Sequence, residues 1–257
     1  MLGQSVKDIL NLYLQDNSYR KQKADPFHKE IKMANKVNSI KKEIVLYAKL
    51  LDSKGLVNTL EGNISILDRE TGELYITPSG TRKAFLDEDM VAVVKDGEQI
   101  GGSVSRSSEY LLHEAALKAR PDCSAVAHIH APYLTAYAYC NQTIRLKCST
   151  TFSLVFGEIP CLPYGEAGTV HIADGIEEAM KEHDLVLLGN HGCVAVGNTL
   201  EDAVKIIEAA EEVLKIAKIA GEVGTALDIP DDKLESLFEH HPGSRRNRLK
   251  NRKEMQG

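Results

Sequence analysis

No two cysteines stand at CxxC spacing. The five present (Cys123, Cys140, Cys148, Cys161 and Cys193) are odd in number and scattered along 257 residues. That excludes a cysteine zinc knuckle, argues against a disulfide framework and fits a reducing compartment. Basic charge is also short: 31 Lys and Arg face 37 Asp and Glu, a net charge of -6, so nucleic acid is not an expected partner. No apolar run approaches the ~20 residues that cross a bilayer. The first seventeen residues lack the charged start and unbroken apolar core of a signal peptide. The expectation is a cytoplasmic protein that does not enter a membrane. Glycine-rich phosphate loops are missing as well. With no GxGxxG, GxxxxGK[ST] or GxSxG, nucleotide binding and a hydrolase nucleophile elbow lose their support. What is present is ordinary for one globular core, with 43% hydrophobic and 26% charged residues.

Punctuation along the chain divides it into an arm, a domain and a tail. Residues 1–33 start helical and turn polar, with a break at Pro26, and read as an added N-terminal arm or an oligomer contact. From 34 to 51 a helical period returns through Ile40, Ile44, Val45, Ala48 and Leu51. Short strands follow. Ile64 to Leu67 and Leu74 to Thr77 flank a Thr71-Gly72 turn, and Val91 to Val94 leads into Lys95-Asp96-Gly97, a hairpin signal. A helix opening at Ser107-Ser108 is predicted to stop before Pro121. Residues 124–130 and 185–188 read as strands, the second entering Gly189-Asn190-His191-Gly192. Thr199, answered by Asp202, caps a helix that ends at Gly221. The domain is placed at 34–225. The basic stretch within 226–257, from Arg245 to Lys253, reads as a solvated, frayed tail. Hairpins with helices at both ends and between them imply one α/β domain with a mainly antiparallel sheet.

Three groups of residues carry chemistry. His128-Ile129-His130 lies on a strand, where positions i and i+2 share a face, so both imidazoles can reach one metal ion. His191, in a turn between Asn190 and Gly192, is the best third ligand. Three protein ligands leave the open position that a catalytic zinc needs. Ser107-Ser108-Glu109 comes at a helix start, where unpaired amides and the dipole favour an anion. Read alone, a plain N-cap with an acidic first turn is the better explanation. Glu109 would then stand between an anion and a metal, placed to move protons. The turns Gly62-Asn63 and Thr77-Pro78-Ser79-Gly80 permit close backbone approach to an anion. Each alone is an ordinary turn. The other histidines (His28, His113, His171, His183, His240 and His241) read as surface or structural residues.

In order, GNIS (62–65), TPSG (77–80), SSE (107–109), HIH (128–130) and NHG (190–192) resemble the class II aldolase/adducin family, in particular its fuculose-1-phosphate aldolase type. IPCLPYGEAGT (159–169) resembles the stretch before the family's third histidine. The resemblance implies a three-layer α/β/α fold around a mainly antiparallel sheet. It implies one zinc, or another divalent metal, per chain on His128, His130 and His191. It also implies a sugar phosphate held by Asn63, Ser79, Gly80, Ser107 and Ser108, with Glu109 as acid and base. A homotetramer with sites at its subunit interfaces, cleaving a ketose 1-phosphate to dihydroxyacetone phosphate and an aldehyde, completes the implied picture.

Two departures qualify it. Ser149 stands where the family type has a proton-donating tyrosine, and no tyrosine follows Tyr164. Arg106, where proline is common, would add a phosphate contact. Rivals from the same superfamily are methylthioribulose-phosphate dehydratases, ribulose-phosphate 4-epimerases and decarboxylases. The epimerases typically carry aspartate at the place of Glu109. A non-catalytic, adducin-like scaffold is the rival of another class, and the retained histidines and Glu109 speak against it.

Overall fold

The computed structural model describes residues 26–256. Most of the expected N-terminal arm lies outside them. The chain divides after Lys41, and residues from Lys42 onward form the compact unit that carries the sheet. The first described helix, α1 (Pro26–Ser53), places Ile44, Ala48 and Leu51 in the core, one or two turns apart as the period predicts.

Eight strands form one sheet: β1 (Asn63–Asp68), β2 (Glu73–Ile76), β3 (Ala92–Lys95), β4 (Glu98–Gly101), β5 (Ala125–Ile129), β6 (Cys161–Leu162), β7 (Leu185–Leu188) and β8 (Gly192–Gly197). Their order is β4-β3-β2-β1-β5-β8-β7-β6, and every pairing is antiparallel except β6 with β7. The β3–β4 turn uses Asp96 and Gly97, both at positive φ (50° and 79°), which matches the right-handed twist of the paired strands.

Helices cover both faces. On one, α2 (Tyr110–Ala119) and α5 (Ile176–Glu182) bury Leu112, Ala116, Leu117, Ile176 and Met180 against Val126, Val186, Val194 and Val196. On the other, α6 (Leu200–Val223) packs on β5 and β8, with α3 (Pro132–Tyr139) beside it. Thr199 and Asp202 close a capping box at the start of α6. Glu211, from the middle of α6, accepts the amides of Tyr133 and Leu134 and so caps α3 from another helix. This three-layer arrangement is the expected one. A short α4 (Thr150–Val155) is capped by Ser149, which accepts the Phe152 amide. No described helix is long and apolar enough to cross a membrane.

Two segments depart from the sequence reading. The first is β8, hidden because all six of its residues are buried. A strand covered on both faces shows no alternation, and its glycine ends look like loop. The second is the tail. It folds as α7 (Asp231–His240) and α8 (Arg245–Gln256) rather than fraying. The anchor is Asp184, whose carboxylate meets Arg120 at 2.6 Å, Arg248 at 3.1 Å and Arg252 at 2.6 Å. Burial alone would raise its pKa, yet the guanidiniums overcome that and hold it at about 2. Two of the basic residues that looked like a solvated run, Arg248 and Arg252, thus serve a half-buried acid.

Candidate metal and anion site

Register assembles the site. On β1 and β5, Asn63 sits directly opposite His128, and His128 sits opposite Val194 of β8. Cross-strand neighbours share a face, so Asn63 and His128 point together toward the N-terminus of α2. His130 follows the end of β5, and His191 comes from the β7–β8 turn. That turn depends on Asn190, whose φ of 56° is the left-handed conformation that asparagine tolerates better than most residues. The Asn190 amide donates to the Ala138 carbonyl, and Asn141 Nδ2 donates to Asn190 Oδ1 at 2.9 Å, so the end of α3 holds the turn that aims His191.

The three imidazoles meet in pairs with ring centroids 4.8 to 5.0 Å apart. Each offers a ligand nitrogen, and these nitrogens all lie within 4.8 Å of one another. His128 Nδ1 is 2.9 Å from the Cys193 carbonyl. A carbonyl only accepts, so the proton is on Nδ1 and Nε2 keeps its lone pair. That lone pair faces His130 Nε2 at 3.2 Å and the Glu109 carboxylate at 3.4 Å. A carboxylate opposite an imidazole lone pair repels it unless a cation lies between them. The donor set therefore fits a divalent metal.

Glu109 is held by three groups: Asn63 Nδ2 donates to it at 2.6 Å, His191 Nε2 lies at 3.2 Å, and His128 at the distance above. Burial raises its pKa, but the His191 and Asn63 hydrogen bonds outweigh burial, so the carboxyl stays well below the usual range and ionised. Behind it runs a chain that the sequence reading missed. His113, fully buried, has Nε2 on Asn63 Oδ1 and Nδ1 2.7 Å from Ser65 Oγ. With its oxygen occupied by His113, the Asn63 amide can only donate toward Glu109. His113 is one helical turn after Glu109, and that spacing was the available signal.

A cleft of about 250 Å³ opens in front of Glu109, His130 and His191. Its lining includes all five residues expected to hold an anion: Asn63, Ser79, Gly80, Ser107 and Ser108. The serines precede α2 rather than belong to its first turn, because the helix begins at Tyr110 and Ser107 Oγ takes the Glu109 amide at 3.2 Å. Arg106 does not line the cleft. Its guanidinium stacks on the Tyr110 ring at 4.1 Å. Glu61 and Lys83 do line it, and neither was singled out from sequence. Glu61 Oε1 lies 3.4 Å from His130 Nδ1.

Two predictions arise from this geometry. A Cβ on Gly192 would lie 2.8 Å from the Ile129 carbonyl oxygen and 3.0 Å from the His130 ring. Gly192→Ala is expected to displace His130 and weaken metal affinity roughly 10-fold or more, as loss of ligand support does elsewhere. Zinc titration of the folded variant checks this, and unchanged affinity would show that the ring tolerates the methyl group.

The second concerns acid. Burial lowers the pKa values of His113, His128 and His130 from an ordinary 6.5 to about 4. Unfolding without metal therefore takes up protons between pH 6.5 and 4. The stability of the metal-free protein should be fully present above pH 6.5 and fall progressively as pH drops toward 4. Urea midpoints at pH 7 and pH 4.5 measure it; equal midpoints would mean these rings are not buried neutral.

The profile of the Class II Aldolase and Adducin N-terminal domain matches residues 42–218. The 5-deoxy-D-ribulose 1-phosphate aldolase of Bacillus thuringiensis serovar kurstaki is 33% identical over 206 residues, 79% of this chain and 95% of its own length. A 3-oxo-tetronate 4-phosphate decarboxylase of Escherichia coli is 31% identical over 190 residues, 72% of this chain and 88% of its own. Among solved structures, an L-fuculose 1-phosphate aldolase superposes with a TM-score of 0.71 at 29% identity, covering 79% of this chain and 95% of that one. The chain belongs to the class II aldolase and adducin family.

Proposed function

We propose that the protein is a zinc-dependent aldolase that cleaves a ketose 1-phosphate between C3 and C4 to dihydroxyacetone phosphate and an aldehyde. One observation carries the reading: a three-histidine cluster stands at one small cleft that an ionised glutamate and a cradle of neutral donors line. The donor set also argues against a scaffold role, since a binding module has no need of an open three-histidine site beside a buried carboxylate.

In this reading His128, His130 and His191 hold the ion. Bound there, zinc supplies Lewis acidity toward the oxygens of the reacting sugar. Asn63, Ser79, Gly80, Ser107 and Ser108 bind the phosphate and fix how far the sugar enters. Glu109 moves the proton. As C3–C4 breaks, the C4 hydroxyl becomes the aldehyde and releases a proton, while the bond's electron pair stays with C3. Glu109, ionised at rest, collects that proton and delivers it to C3, so the proton balance closes within the cleft. Asn63 and, through it, His113 keep the carboxylate aimed during the transfer. Ser149 caps α4 and supplies no acid comparable to a tyrosine, which leaves this proton to Glu109.

The relative acting on 5-deoxy-D-ribulose 1-phosphate makes a 5-deoxypentulose 1-phosphate the first substrate to try. Its cleavage would give acetaldehyde beside dihydroxyacetone phosphate. The decarboxylase relative supports a second reading, in which the same site releases carbon dioxide from a 3-oxo acid phosphate. Incubation with each substrate type separates them: dihydroxyacetone phosphate and an aldehyde from the ketose 1-phosphate support the first reading, and carbon dioxide from the 3-oxo acid phosphate, with no cleavage of the ketose, replaces that reading with the second. The proposal includes a cytoplasmic homotetramer with sites at subunit interfaces. The exposed apolar residues Ile216, Ile219 and Val223 of α6 offer a surface for such contacts.

A further inference from the structure

We propose that Lys83 is the counterion of the substrate's phosphate, a specificity residue of the cleft; this rests on the sugar-phosphate reading above. Lys83 opens a 3-10 turn, Lys83–Phe85, three residues after the Ser79-Gly80 turn. It lines the cleft together with Asn63, Ser79, Gly80, Ser107 and Ser108, and no other Lys or Arg is among the described lining residues.

Charge balance requires something of this kind. The other cradle donors are neutral, and two carboxylates, Glu61 and Glu109, line the same space. A phosphate dianion entering there would face negative charge with only dipoles to offset it on its own side of the cleft. A lysine ammonium binds phosphate as a point charge and roughly doubles the strength of a neutral hydrogen bond.

Burial points the same way. Lys83 is 5% exposed, yet its ammonium has no hydrogen bond or ion pair with any described residue. The opposite charges that act on it are Asp52 and Glu109. Asp52 pairs with Arg82 at 3.7 Å, and Glu109 is engaged by Asn63 and His191. Lys83 also borders an apolar space shared with Ala48, Leu51, Val57 and Ile64, where its methylene stem has company. A buried cation without a partner is costly, and such groups are normally paired. An anionic ligand supplies the missing partner.

The test is calorimetric titration of the purified metal-bound protein with inorganic phosphate at fixed ionic strength. It compares the parent protein, Lys83→Met, Lys83→Gln and Lys83→Arg, with metal content measured in each. Removing the charge is expected to weaken phosphate binding roughly 10-fold or more in both Lys83→Met and Lys83→Gln, while Lys83→Arg stays within about 3-fold of the parent. Metal content should not change. Glutamine keeps polarity and most of the length, so it remains informative if methionine disturbs folding. Parent-like phosphate affinity in a folded Lys83→Gln protein would overturn the assignment of Lys83 alone. A parent protein that holds metal but binds no phosphate would overturn the sugar-phosphate reading along with it.

Discussion

His191→Ala is expected to lose bound metal and turnover together. The imidazole comes from a turn and not from the sheet, so its removal leaves His128 on β5 and His130 just after it in place. Two nitrogens with a carboxylate beside them hold zinc far more weakly than three. Metal Lewis acidity supplies several kcal/mol at the reacting oxygens, and each ~1.4 kcal/mol is tenfold in rate, so activity should fall roughly 10³-fold. Metal analysis and a turnover assay on the same preparation check both halves. An alanine protein that stays active and metal-replete would show that His191 is not a ligand.

Glu109→Gln should separate the two functions that His191→Ala removes together. Glutamine keeps the shape and can still accept from Asn63 through its amide oxygen, where Glu109 now accepts at 2.6 Å. The three histidine nitrogens are untouched. The fold and the metal should therefore persist, while kcat drops roughly 10² to 10⁴-fold, the usual worth of a positioned acid–base group. Zinc content of one per chain with near-parent kcat would mean that another group, with Glu61 the other carboxylate lining the cleft, carries the proton.

The sequence was most legible where one local rule decides the outcome. The hairpin at Asp96-Gly97, the capping box of Thr199 and Asp202, and the strand that carries His128 all follow from short-range periodicity or turn chemistry. The same holds for the clustering of His128, His130 and His191, once the GNHG turn is read as aiming a side chain. What stayed hidden depends on distant partners. Strand β8 is buried on both faces and carries no alternation. Helix α8 is held by Asp184, some sixty residues before it, so its local basic composition misleads. His113 looks like any helix histidine until Asn63 and Ser65 are brought across from β1. Lys83 follows a recognisable turn, but only the folded cleft shows that its charge is alone there.

The most direct test is release of dihydroxyacetone phosphate from a panel of ketose 1-phosphates, 5-deoxypentulose 1-phosphates included, with and without a chelator. The chelator is expected to abolish release, and added zinc to restore it. Release that survives removal of the metal, or no release from any sugar while one metal ion stays bound per chain, would contradict the metal-dependent aldolase reading.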